Sequence, residues 1–587
     1  MKPVNVILEE RISEILTSII NDGSTYPGIV RASANPKFGD YQANGIMGAA
    51  KKNKLNPREL AAKVVEMINL DDICEEPEIA GPGFINLRIK TDFISNALLE
   101  ISKDTNNLAI EATENPQTVV VDYSGPNIAK EMHVGHLRST IIGDCICQML
   151  EALGHNVIRQ NHIGDWGTQF GMLCALLAQK QKASENVSMA LSDLEAFYKE
   201  AKALYDSNPE FAKTARGAIA GLHNGDDTWK SYWQQIVAES RKHYTQIYNA
   251  LSVTLSEKDE YGESAYKDEL KGVVDDLKDK QLAVESDGAY CVFPDGFKTK
   301  DDTPMPFIVQ KSDGAFLYAT TDLAAMKYRT GKLDAQRIVY VTDARQMLHF
   351  QMLFAVSKMA GFAKAETQLD HVTFGTMLGD DGKPFKTRSG ENVKLKDLLA
   401  EAVERAYAVV NEKNPQLDEQ TKQDIAQSVG IGAVKYSDYS NNRTTDYVFS
   451  FEKMLAMEGN TAPYMQYACA RVKSIERKAK EKGINIESEL AGIDKLDLTE
   501  TQELDLAMHI TKYSQVLESA CSDYKPNFVT TYLYELAQKF SAFYTNCPVL
   551  SAGDEKRPTR LMLCRLTEMT LSHGLEKILR ISVPQQM

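Results

Sequence analysis

The period of the apolar positions changes along the chain, and the changes mark its parts. Apolar residues recur at helical spacing through Leu8, Ile12, Ile15 and Ile19, and again through Leu60, Ala61, Val64, Val65 and Ile68. Each set is the stripe that an amphipathic helix lays on a core. Between them runs Asn35-Pro36-Lys37-Phe38-Gly39-Asp40-Tyr41-Gln42-Ala43-Asn44, where turn formers alternate with aromatics and amides. Gly81-Pro82-Gly83 and then Phe84-Ile85-Asn86-Leu87 predict a turn and a strand that close a small mixed unit.

From about residue 115 strands and helices alternate. Thr118-Val119-Val120-Val121 is β-branched and unbroken, as in a strand buried on both faces of a parallel sheet. Gly125 and Pro126 break it, and Leu137, Ile141, Ile142, Ile146, Met149 and Leu150 return at helical spacing. Further strands are predicted at Asn156–Ile163, at Ala315–Tyr318 after a hairpin turn at Ser312-Asp313-Gly314, at Ile338–Val341 and at His371–Phe374. Residues of about 175 to 300 are polar and helix-rich and read as an insertion. Everything beyond about 400 reads as helix. The fold class predicted is α/β, a Rossmann-type doubly wound parallel sheet with a polar helical insertion, an N-terminal α+β domain and a C-terminal all-α bundle. The boundaries expected are 1–112, 113–400, connecting helices over 401–455, and 456–587.

Composition narrows the classes. The 587 residues are 43% hydrophobic and 25% charged, ordinary for a globular protein of several domains. No run of about 18 apolar residues predicts a membrane span, and the N-terminal residues lack the apolar core of a signal peptide. Nine cysteines are scattered without a Cys-x-x-Cys pair, which argues for reduced thiols in the cytosol and against zinc. The net charge of −15 argues against promiscuous nucleic-acid binding, which basic residues drive. It leaves a single RNA partner open, since acid is locally concentrated in Thr254 to Glu285.

Candidate chemistry gathers where strands hand over to helices. His133-Val134-Gly135-His136 opens the helix that follows the first sheet strand. A helix N-terminus favours anions, and Gly135 leaves room for a flat ring to pack close. Two imidazoles there can donate to phosphate oxygens without adding a fixed cation; equally, they can serve as capping or packing residues. Tyr318 and Asp322 are four apart and share a face if a helix starts at Tyr318. A phenol beside a carboxylate suits a guanidinium, although Thr321 or Asp322 could instead cap that helix. In the C-terminal part Tyr464, Tyr467 and Arg471 lie three and four apart. Such a face can stack bases and hold phosphate, while aromatic stripes are more commonly core.

His133-Val134-Gly135-His136 resembles the HIGH motif of class I aminoacyl-tRNA synthetases. Its lead-in, Asp122-Tyr123-Ser124-Gly125-Pro126-Asn127-Ile128-Ala129-Lys130-Glu131-Met132, is similar to that of the arginyl-tRNA synthetases. The similarity runs through nearly the whole chain and is weakest in the insertion. It implies an arginine–tRNA ligase: L-arginine and ATP with Mg²⁺ give arginyl-adenylate, and the arginyl group passes to the 3′-terminal adenosine of tRNA(Arg).

The resemblance places His133, Gly135 and His136 on ATP, with His349 near the adenosine. It places Ser124 and Asn127 on the α-amino and carboxylate ends of arginine, and Tyr318, Asp322 and Gln346 around its side chain. Gly379-Asp380-Asp381-Gly382-Lys383-Pro384-Phe385-Lys386-Thr387-Arg388 departs from the Lys-Met-Ser-Lys pattern of the class. Lys386 and Arg388 are expected there, with Lys130 compensating just ahead of the HIGH motif. The N-terminal stretch with Asn35, Phe38 and Tyr41 is expected to read the tRNA D-loop, and Tyr464, Tyr467 and Arg471 to belong to the anticodon-binding domain. A cytoplasmic monomer without a tightly bound cofactor or zinc is expected. A synthetase for another amino acid and a non-catalytic tRNA-binding relative are the alternatives.

Overall fold

The structure, a computed structural model, describes residues 1–33, 35–183, 193–385 and 393–584. The chain forms two compact units, one of residues 113–455 and one of residues 1–112 with 456–587.

The unit of residues 113–455 is built on a four-stranded parallel sheet. Its order is Gln368–Phe374, Arg337–Asp343, Thr118–Asp122, Asn156–Gln160. Val119, Val120 and Val121 are fully buried, as their unbroken β-branched run requires. The chain leaves Thr118–Asp122 toward one edge, then returns to build the other side. The strand order therefore reverses between Thr118–Asp122 and Arg337–Asp343, and ligands of such sheets bind outside the carboxyl ends at that point.

Two buried arginines fix what surrounds this crevice. Arg329 of the helix Tyr318–Gly331 donates from Nε to Gln160 Oε1 at 2.6 Å and from Nη2 to Asp122 Oδ2 at 2.7 Å, tying that helix to the carboxyl ends of two strands. Arg138 of the helix Leu137–Ala152 pairs with Asp438 at 2.8 Å and donates to the Gly375 carbonyl at 2.8 Å. Breaking a buried pair by removing one partner costs about 3–5 kcal/mol.

The predicted strand Ala315–Tyr318 does not form. Ala315 to Leu317 are irregular, and Tyr318 already begins the helix. A four-residue apolar run does not by itself distinguish strand from helix start. The turn at Gly314, φ 83°, folds the chain so that Lys311 N donates to the Ala315 carbonyl. The strand lies before it, at Phe307–Gln310, in a three-stranded antiparallel sheet with Ala283–Ser286 and Ala289–Val292. Within the insertion, the helices Thr168–Lys182, Leu194–Ser207, Pro209–His223 and Asp227–Ala250 share an apolar interior that includes Phe170, Phe197, Ala215 and Ile236. The region beyond 400 is not wholly helical: Tyr447–Val448 pairs in parallel with Met377–Leu378.

In the other unit, four antiparallel strands lie in the order Val30–Ala32, Tyr41–Ala43, Phe84–Leu87, Glu78–Ala80. The bundle comprises Ala462–Glu481, Thr501–Thr511, Tyr513–Ser522, Pro526–Asn546 and Arg557–Ser572. All nine cysteines are buried, and none forms a disulfide among the described residues. Among the described residues, no helix is long and apolar enough to cross a membrane.

Candidate active site

The crevice at the carboxyl ends of the sheet is a cleft of about 620 Å³, lined by Ser124, Asn127, His133, Gly135, His136, Tyr318, Asp322, Gln346 and His349 together with residues not anticipated from sequence.

One end is built from the two imidazoles. His133 Nδ1 accepts from Gly135 N at 3.0 Å, and His136 Nδ1 accepts from His133 N at 3.1 Å. The rings lie 4.1 Å apart. Both residues therefore cap the chain, and the capping is what makes them useful. With each Nδ1 occupied as an acceptor, a neutral ring carries its proton on Nε2 and offers that N–H outward. Burial, with Lys130 and Arg345 nearby, holds His133 below its ordinary value, and burial beside His133 pushes His136 down to about 3. Neither is a cation near neutral pH. The flat ring for which Gly135 leaves room is that of His133: a Cβ at Gly135 would meet its Cε1 at 2.7 Å.

The other end is acidic. Asp322 and Tyr318 both line the cleft from the helix Tyr318–Gly331, and Tyr318 is 65% exposed. His349 is bonded through Nε2 to Asp322 Oδ2 at 2.6 Å and stacks on Phe307. Its imidazole thus joins the acidic end of the cleft. Glu263 adds a second carboxyl group there. Burial, then Asp165 and Asp322, pushes it up to about 7. Glu263 comes from the short turn Glu263–Tyr266 within the acidic stretch Thr254 to Glu285, where nothing in the sequence singled it out from its neighbours. His162 also lines this wall, and its buried Nδ1 has no hydrogen-bond partner among the described residues.

The lip carries the rest. Ser124 has φ 71°, unusual for a residue other than glycine. Its hydroxyl shares hydrogen bonds with Thr140 at 2.8 Å and Tyr248 at 2.7 Å, so it is turned into the protein. Asn127 is exposed, and its Oδ1 accepts from Ala129 N at 3.1 Å. Gln346 is exposed at the start of the helix Met347–Met359. Lys130 does not line the cleft; its ammonium sits over the Tyr198 ring, 4.4 Å from the centroid. Arg345 lines it, paired with Asp343 at 2.8 Å, and was not singled out from sequence. Lys386 and Arg388 lie outside the described residues.

Similarity to known proteins follows this geometry. The class I (R) tRNA synthetase catalytic domain family matches residues 94–451, the arginyl tRNA synthetase N terminal domain residues 7–89, and the DALR anticodon binding domain residues 465–587. An arginine–tRNA ligase of Hahella chejuensis is 50% identical over 97% of each chain. The chain belongs to the arginyl-tRNA synthetases. A second synthetase of this family, an arginine–tRNA ligase of Haemophilus influenzae, is 49% identical over 100% of both chains. A crystal structure of the arginyl-tRNA synthetase from Plasmodium falciparum superposes with a TM-score of 0.84 at 31% identity, covering 100% of both chains.

The remaining candidates of this synthetase lie in its other unit. Asn35 and Phe38 are exposed, Phe38 at 46%. Tyr41 is not available for stacking: it is 1% exposed, with the Lys512 ammonium over its ring at 5.7 Å and its hydroxyl directed at Gln515, 3.4 Å away. Its position in a central strand, facing the core, decides this. Tyr467 is 44% exposed, Tyr464 lies edge-on to Tyr534, and Arg471 covers the Tyr544 ring at 5.1 Å. The one helical face read from sequence is thus divided between packing and solvent.

Proposed function

We propose that the chain activates L-arginine with ATP and charges tRNA(Arg) with it. The observation that carries this reading is the pairing, within one cleft, of two neutral imidazoles and a cup containing Asp322 and Glu263. A guanidinium is planar, permanently charged and able to fork its donors onto carboxylates, so it suits a cup that presents two carboxyl groups. In activation the arginine carboxylate, already ionised, attacks the α-phosphorus of ATP in line. A P–O bond to pyrophosphate breaks, and its electrons leave with the pyrophosphate. No general base is needed, so catalysis is positioning and charge stabilisation. His133 and His136 donate from Nε2 to phosphate oxygens, and Arg345 adds positive charge. Mg²⁺ enters on the nucleotide as part of the substrate. Asn127 and the backbone of Ser124 meet the amino and carboxylate ends of arginine, and Tyr318 and Gln346 close over its side chain. Lys130 reaches the phosphates only on leaving Tyr198, while Lys386 and Arg388 are further cations for the pyrophosphate.

The 2′- or 3′-hydroxyl of the terminal adenosine of tRNA(Arg) then attacks the mixed anhydride and releases AMP. Phe38 and Asn35 on one surface, and Tyr467 with Arg471 on another, offer stacking and phosphate contacts. The reading includes a cytoplasmic enzyme acting as a monomer, with neither zinc nor a resident cofactor. It is tested by ATP–pyrophosphate exchange over a panel of amino acids, with and without tRNA. Exchange with arginine alone supports it; exchange with a different amino acid, or tRNA binding without any exchange, replaces it with another synthetase or a non-catalytic relative.

A further inference from the structure

The segment between the two ends of the cleft is anchored twice. Near its start, Ile128 N donates to the Gly164 carbonyl at 3.2 Å, and Asn127 bridges Gly164. Near its end, His133 forms an antiparallel bridge with Lys394. Val134 N donates to the Val393 carbonyl and Leu395 N to the Met132 carbonyl, each at 3.0 Å. The first anchor serves the arginine end and the second the imidazole end.

At the second anchor stands a charged cluster that the chemistry above does not use. The Glu131 carboxylate is 7% exposed and lies 2.7 Å from Lys394 Nζ and 2.8 Å from Lys396 Nζ. Lys394 Nζ also reaches Glu195 of the insertion helix Leu194–Ser207 at 3.0 Å. Burial works to raise the Glu131 carboxyl, but the two ammonium groups outweigh it and hold the group below its ordinary value. A carboxylate so placed stays ionised. It fixes the backbone two residues before His133 against the start of the helix Leu395–Lys413 and against the insertion at once.

We propose that Glu131 is a positioning residue for the nucleotide end of the cleft: through Lys394 and Lys396 it sets where His133 and His136 present their Nε2–H groups. The inference rests on the arginine-activation reading. It predicts an asymmetry, because the arginine end has its own anchor at Gly164. Small displacements of positioned groups are costly in rate, up to about 10²-fold for roughly 1 Å.

The test is steady-state ATP–pyrophosphate exchange by the full chain, tRNA present, titrating each substrate separately. Glu131→Gln keeps the size and removes the charge. It is expected to lower kcat/KM for ATP about 10- to 100-fold while the KM for arginine stays within about twofold. Lys394→Met leaves Glu131 paired with Lys396 and is expected to give the same asymmetry at a smaller size; it decides the matter alone if Glu131→Gln does not fold. A folded variant that leaves both substrates unaffected overturns the proposal, as does one that weakens arginine as much as ATP, which is what general loosening produces. Absence of arginine-dependent exchange in the unsubstituted chain overturns the activation reading instead.

Discussion

The two ends of the cleft solve opposite electrostatic problems. The imidazole end must meet a polyanion, yet His133 and His136 are held neutral, their tautomers set by two backbone N–H groups. The arginine end must meet a cation, and there burial, then the neighbouring Asp165 and Asp322, raises Glu263 to about 7. The difference follows from the ligands. ATP brings Mg²⁺ with it, so the neutral imidazoles need only add directional donors, and the exposed Arg345, already shared with Asp343, adds a modest charge beside them. Arginine brings a permanent charge with nothing to balance it, so the protein supplies the whole counter-charge and bears the desolvation in the empty state.

Removing either half breaks this contrast in a different parameter. Asp322→Ala is expected to have the largest effect, lowering kcat/KM for arginine by ~10²–10⁴ through loss of a charged, forked hydrogen-bond partner. The KM for ATP should change little, and normal exchange by the folded variant refutes the cup. His136→Ala should follow, costing ~10²–10³ in kcat, as loss of one preorganised donor does, with arginine KM preserved.

Titration sharpens the contrast further. Below pH 7 Glu263 carries a proton and the cup holds one charge fewer, so the KM for arginine should fall as pH rises from 6 to 8, by up to about tenfold. Glu263→Gln should flatten that profile. The sign for stability is the reverse. Between its ordinary value of 4.5 and about 7 the folded chain holds a proton that the unfolded chain has released. Apo stability therefore declines as pH rises through that window. Bound arginine sets its guanidinium against the ionised Glu263, so its thermal shift should be larger at pH 8 than at pH 6. Arg345→Met should have the smallest effect, about a two- to fivefold rise in KM for ATP, because its charge is exposed and already shared with Asp343. A large loss there would mean that the imidazole end depends on a fixed cation after all.

Legibility from sequence tracks how local each determinant is. The sheet strand Thr118–Asp122 announces itself in an unbroken β-branched run, Arg337–Asp343 in β-branched residues around Tyr340, and the His133–His136 turn in its own spacing. The run at Ala315 misled because four apolar residues carry too little period, and the true strand lay a few residues earlier. Tyr41 looked like a base-stacking aromatic because composition around it is turn-like, whereas the alternation of its strand points it inward. Glu263 was only one carboxyl of the acidic stretch Thr254 to Glu285, since its role exists only once that stretch folds back against Asp165 and Asp322.

The sequence alone determined the strand–helix alternation, the imidazole pair and the carboxylate four residues after Tyr318, because each is a matter of spacing within one element. Only the tertiary structure decided which charges meet. His349 with Asp322, Glu131 with Lys394 and Lys396, and Glu263 in the cup are contacts between distant segments, and a side chain's ionisation is fixed by its surroundings in space rather than by its neighbours in the chain.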